Sequence, residues 1–180
     1  MSKHHAYVIS SGFCHVKIGH SRDPKSRLSD LQVGSSSPLW LSHQWRVDRA
    51  DAIELERRLH AAFCWCSLEG EWFDTLAPPV VAVGDLLLAG RDADAQRLLD
   101  IVQRLRIIPI EESRLRDAWR FTKSSDRRRV DLVSAAARKA LDAEAAALEL
   151  EAYDLGLWPE GATTERGLSK HLEVLRLRAA

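Results

Sequence analysis

Glu56 is the side chain whose surroundings ask most directly for a ligand. It lies beside Leu55 and Leu59, which belong to an apolar stripe at helical spacing. A carboxylate at the edge of a buried helix face is costly unless it binds something, which makes Glu56 a candidate ligand for a hard cation. Glu54, by contrast, has Arg57 and Arg58 three and four residues on and reads as half of a solvated ion pair. His60 follows Glu56 by four residues and so shares its side of the helix. It can hold a phosphate, act as a base, or simply pack. A thiol site is the competing chemistry. His60, Cys64 and Cys66, with Cys14 nearby, are zinc-ligand types. The Cys-x-Cys spacing, however, turns two thiolates to different sides of a helix, and no Cys-x2-Cys knuckle is present. No glycine run has phosphate-loop spacing, and no serine stands in a nucleophile elbow.

A second group of chemistry-bearing residues lies further on. Arg120, Lys123 and Arg127, Arg128 and Arg129 cluster with Trp119 and Phe121 interleaved. That mixture suits phosphate tracking and base stacking. It is also what a solvated helix face with two inward aromatics looks like.

The elements that must position these groups follow from the pattern. Residues 6–10 are apolar and β-prone, and residues 15–20 alternate polar and apolar; together they predict a hairpin. Pro24 suits the first position of a helix capped by Ser21 or Asp23 and ended by Gly34. Residues 39–47 read as a third strand, and residues 52–66 as a helix capped by Asp48 or Asp51. Residues 71–73 are a short strand or turn, and Pro78-Pro79 opens a helix to about residue 88. The first ~90 residues thus predict a compact α+β module. The remainder is expected to be all-α, with helices over 92–107, 110–122, 127–152 and 165–178, the first break falling at Pro109. Val130, Val133, Ala137, Leu141, Ala145, Leu148 and Ala152 form a long amphipathic stripe suited to packing on the first module or on a second copy. The expected division is 1–90 and 91–180.

The ordered set Tyr7-Val8-Ile9, Lys17-Ile18-Gly19, Arg27, Glu56 and Glu71-Trp72-Phe73 resembles the GIY-YIG nuclease superfamily, in its phage-type branch with a KIG second motif and an EWF ending. The resemblance covers about residues 6–89. It departs from the pattern at Ala6, which precedes Tyr7 in place of the usual Gly-Ile run, and at Lys17, which stands where the tyrosine of YIG stands. It implies a small three-stranded sheet flanked by helices and metal-dependent hydrolysis of phosphodiester bonds in DNA, single- or double-stranded. The implied cofactor is Mg2+ or Mn2+ held by Glu56. Arg27 would grip the scissile phosphate with its planar fork. Tyr7 would take or relay the proton of the attacking water once the metal and Lys17 lower its phenol from a pKa of ~10. His60 and His20 are further proton carriers. Gly19, Glu71, Trp72 and Phe73 would be structural members of the motif. The helical half would bind DNA or form a homodimer. Two rival readings keep the fold without the reaction: a nucleic-acid-binding module, motivated by Lys17, and a protein-interaction factor of a mobile element.

Composition sets outer limits. Lys plus Arg and Asp plus Glu are both 26, so bulk basicity cannot be the means of binding nucleic acid. The neutral total hides an asymmetry, because residues 104–139 carry 11 basic and 5 acidic side chains and residues 140–160 carry six acids and no Lys or Arg. No apolar run reaches the ~20 residues of a membrane span. No signal peptide is expected at the start, and three cysteines favour a reducing, cytoplasmic setting.

Overall fold

The computed structural model describes residues 3–12, 15–120 and 127–157, without the side chains of 118–120 and 127–132. The chain divides into two compact units, residues 1–99 and 100–180.

The first unit is built on a sheet. Strand β1 (His4–Ser11) pairs antiparallel with β2 (Val16–Ser21) on one side and β3 (Leu39–Val47) on the other. β1 is therefore central, and Tyr7, Val8 and Ile9 are all buried although successive residues point to opposite faces. Both faces of the strand are covered, which explains its unbroken apolar run. The expected three-stranded sheet has a fourth strand, in the order β3-β1-β2-β4. β4 (Trp72–Phe73) places Phe73 opposite Val16 and Trp72 opposite Lys17. The physical reason is the outer edge of β2, whose buried residues leave backbone groups that need partners. The Ile18 N–H donates to the Glu71 carbonyl at 3.3 Å as the pairing begins.

Helix α1 (Pro24–Val33) starts where Asp23 accepts from the backbone N–H groups of Lys25 and Ser26, with Pro24 at its first position. Helix α2 (Arg49–Ala62) starts at Asp48, which accepts from the N–H of Asp51. It ends four residues earlier than the pattern predicts, because Cys64–Cys66 tightens into a 3-10 turn. Helix α3 (Ala77–Leu88) carries Gly84, where a Cβ would stand 2.4 Å from Trp45 Cζ2. The absent side chain lets the β3 indole lie against the helix, and its Nε1–H donates to Asp85 at 2.7 Å. Leu55, Leu59 and Phe63 from the α2 segment join Val80, Val83 and Leu86 from α3 in the core.

Helices α4 (Asp92–Arg120) and α5 (Arg127–Asp154) make up the rest of the described chain. The break expected at Pro109 does not occur, and 92–120 is one helix. Proline inside a helix forfeits a backbone hydrogen bond. Arg104 and Glu111 bracket it with an ion pair at 2.9 Å, and Arg104 also forks onto Glu144 of α5 at 2.6 and 2.8 Å. Of the α5 stripe, Ala152 is buried, Leu141 and Leu148 are half-buried and Val133 is exposed. The helix expected over 165–178, the side chains of Arg120, Arg127, Arg128 and Arg129, and Lys123 lie outside the described residues. Among the described residues no helix is long and apolar enough to cross a membrane.

Candidate active site

Tyr7 sits opposite Gly19 in the β1–β2 register. Residues directly opposite share a face of the sheet, so the phenol lies over the glycine. A Cβ on residue 19 would stand 2.5 Å from the Tyr7 hydroxyl oxygen and 2.6 Å from its Cζ. Gly19 is thus the residue that gives the phenol its seat. Burial pushes the phenol above its ordinary pKa, while the nearby Arg27 guanidinium opposes the rise. The carboxylates of Glu71 and Glu56 act on the same phenol and add to the rise. Groups from α1, α2 and the approach to β4 thus lie within electrostatic range of one phenol on β1. The ~50 positions separating Tyr7 from Glu56 are closed by the sheet and by α2 packed on β1 and β2.

Lys17 behaves differently from the expectation. Its side chain is only 7 % exposed, and its ammonium donates to Glu71 Oε2. The hydrogen bond to Lys17 holds the Glu71 carboxyl below the ordinary carboxylate range. The cation beside the Tyr7 phenol is Arg27, not Lys17, and the phenol is raised rather than lowered. β4 covers that part of β2, so position 17 is not on a free sheet edge.

Glu56 is 14 % exposed, and its Oε2 meets Nδ1 of His20, the residue after Gly19. His20 in turn has its ring centroid 5.4 Å from that of His4. His60 is turned to a structural task. Its Nε2 donates to the Ile18 carbonyl at 3.1 Å, and its ring meets Phe73 edge-on at 5.2 Å. It pins β2 and β4 to α2, and the imidazole that faces Glu56 is His20. Phe73 is core, and half-buried Trp72 lines an open cleft of about 480 Å³ with Ser11, His15, Asp30, Leu31 and the serine loop 35–37. That cleft lies one helical turn beyond Arg27 on α1 and one residue beyond Glu71 on β4.

The donor set decides what kind of cation fits. Among the described residues no group of three or more His, Cys, Asp or Glu side chains is placed to hold a metal ion. Glu56 presents a hard oxygen, Oε1, beyond the one that meets His20. One carboxylate fits a Mg2+- or Mn2+-sized ion only when substrate oxygens and waters complete the octahedron. The described thiols offer no zinc site, with Cys64 exposed and the buried Cys66 Sγ–H donating to the Phe63 carbonyl. Cys14 lies outside the described residues.

The first unit is thus a small α+β domain whose sheet, α1 and α2 gather a phenol, a guanidinium and a carboxylate. Residues 4–87 match the family model of the T5orf172 domain. This segment is similar to a phage-associated domain that is related to GIY-YIG- and HNH-like nucleases and associated with nuclease and DNA-binding activity. No curated protein and no solved structure matches the chain.

Proposed function

We propose that residues 1–90 are a metal-dependent endonuclease that hydrolyses phosphodiester bonds in DNA, with 91–180 as a helical DNA-binding or dimerisation region. The observation that carries the reading is the Tyr7 phenol seated over Gly19, the residue before the His20 that Glu56 holds, with the charges of Arg27 and Glu56 in range of the phenol. Three residue types that phosphodiester hydrolysis needs, from three different elements, lie within electrostatic range of that phenol. Arg27 grips the non-bridging oxygens and offsets the charge that builds on them. Tyr7 enters protonated, because burial keeps its phenol neutral. It donates a hydrogen bond to the reacting oxygens and relays a proton as charge develops. Glu56 Oε1 would hold Mg2+ or Mn2+ jointly with the phosphate. When bound, the ion supplies Lewis-acid polarisation and a more acidic water. His20 keeps Glu56 oriented through the other oxygen.

The test is cleavage of single- and double-stranded DNA with Mg2+ or Mn2+, comparing the intact chain with Glu56→Gln and Arg27→Ala. Each substitution is expected to lower the rate by about 10²-fold or more, the scale for removing a transition-state contact. Equal rates in all three proteins overturn the proposal.

A second reading rests on Lys17. Its pairing with Glu71 gives position 17 a structural task where the resembling family has a phenol. The same fold would then grip nucleic acid without cutting it. That reading expects salt-sensitive DNA binding that survives Glu56→Gln and no metal-stimulated cleavage.

A further inference from the structure

At the end of the sheet where β1 begins, buried and exposed basic groups collect around an anomaly. His4 is 6 % exposed, and neither of its ring nitrogens has a hydrogen-bond partner. Buried imidazoles are nearly always satisfied, and an orphan points to a ligand, an ion or a water that completes it. His5 Nδ1 is also buried and unpartnered.

The register shows what stands around them. His5 lies opposite Arg46 on β3 and opposite Ser21 on β2, and Arg22 directly follows β2. His4 lies opposite Val47, and Arg49 is the first residue of α2, two positions on. His20 closes the group through its ring contact with His4. Burial first, and then the charges of His20, Arg49, Arg22 and His5, lower the His4 pKa, which places both arginines within electrostatic range of it. Arg22, Arg46 and Arg49 are exposed and have no carboxylate partner among the described residues. Asp23 and Asp48 turn their carboxylates onto the first backbone N–H groups of α1 and α2, Glu56 holds His20, and Asp51 stands in the first turn of α2 without taking up any of the three arginines. The result is a cluster of three exposed guanidiniums that no ion pair ties down among the described residues. Most other arginines of this unit are in ion pairs, as with Arg57 on Glu54, Arg58 on Asp92 and Arg91 on Asp94.

We infer that Arg22, Arg46 and Arg49, with His5 beside them and the buried His4 ring behind, form a binding site for phosphates of a nucleic-acid backbone that runs off the sheet end beside the candidate active site. This rests on the nucleic-acid reading above but not on cleavage. The placement fits a strand that passes the site. His5 precedes Tyr7 by two residues on the same face, about 6.6 Å along the strand. On the other face His20 connects the patch to Glu56. A flexible, exposed trio of guanidiniums suits a line of phosphates, each gripped by a planar fork.

The experiment is fluorescence anisotropy of a labelled single strand and a labelled duplex with the full chain in EDTA, titrated between low and moderate salt. The variants are Arg22→Gln, Arg46→Gln and Arg49→Gln, singly and together, with Arg57→Gln as the paired-arginine control and His4→Leu as the probe of the orphan ring. Each patch arginine that contacts a phosphate is expected to reduce the slope of log K against log salt by about 0.7 on single strands or about 0.9 on duplex. The triple variant should lose about ten- to a hundred-fold in affinity at moderate salt, with Arg57→Gln unchanged. His4→Leu should weaken binding while holding the urea midpoint at or above the parent value, because it removes an unsatisfied buried polar group. Unchanged affinity and slope in the triple variant overturn the proposal, as does an equal loss in Arg57→Gln. Displacement of the oligonucleotide by millimolar inorganic phosphate at constant ionic strength also overturns it, since that would mark a free-phosphate pocket. Because binding is read without divalent cation, the site stands or falls on this variant pattern alone, while the nuclease reading stands or falls on the separate cleavage assay with Mg2+ or Mn2+.

Discussion

Gly19→Ala is the substitution that tests the site geometry most sharply, because the glycine's whole role is a missing atom. The added Cβ would lie 2.5 Å from the Tyr7 hydroxyl oxygen and 2.6 Å from its Cζ, about 1 Å inside ordinary contact distance. Residue 19 sits in a paired strand and Tyr7 is 2 % exposed, so neither moves freely. Overpacking of this kind costs about 1–3 kcal/mol. Displacing the phenol also disturbs its interaction with Arg27, worth up to about 1 kcal/mol. The total expected is about 2–4 kcal/mol, read as a fall in the urea midpoint of about 1–3 M at an unchanged slope. In a Tyr7→Leu background the ring is gone, and the same substitution should cost less than about 1 kcal/mol. A Gly19→Ala protein within about 0.5 kcal/mol of the parent refutes the geometry. So does a full penalty that persists without the ring.

Three further outcomes are expected. Glu71→Ala should destabilise more than Lys17→Met, by about 1–3 kcal/mol, because it leaves a buried ammonium without its acceptor; urea unfolding of the two variants reads the order. The Lys17 hydrogen bond holds Glu71 below its unfolded value, so its contribution is present above that value and lost as pH falls through the folded one. Acid titration of stability should lose part of this limb in Glu71→Gln. The Tyr7 phenol, raised by burial, contributes stability below its unfolded value that is lost as pH rises through the folded one, so alkaline unfolding followed by ultraviolet difference absorbance should shift in Tyr7→Phe. Gly84→Ala should cost about 2–4 kcal/mol and disturb the near-ultraviolet dichroism of Trp45, whose ring occupies the space 2.4 Å from the added Cβ.

Local rules sufficed for the elements of the first unit. Asp23 and Asp48 cap their helices because a short acceptor at that position satisfies backbone donors within three residues, which is a property of adjacent sequence. The strands at 4–11, 16–21 and 39–47 followed from apolar and β-branched content of the same short range. The order of Tyr7, Arg27 and Glu56 along the chain was also legible as a motif. Pro109 misled for a local reason, since the propensity against it was outweighed by the Arg104 ion pairs that hold the helix on both sides of it.

What the linear sequence determined, then, is which residue types stand on which strand or helix, since hydrogen bonds over three to five residues and side-chain periodicity set those. What only the tertiary structure decided is partnership. Lys17 could be read as a cation for the phenol until β4 brought Glu71 onto it, across 54 positions. His60 and His20 were equivalent imidazoles until α2 crossed β2 in the register that gives Glu56 to one and the Ile18 carbonyl to the other. The basic patch at the sheet end was invisible in a chain of zero net charge, because its members are scattered from residue 4 to residue 49 and meet only when three strands align. Electrostatics and packing act through space, and their outcome waits on the fold that sets the distances.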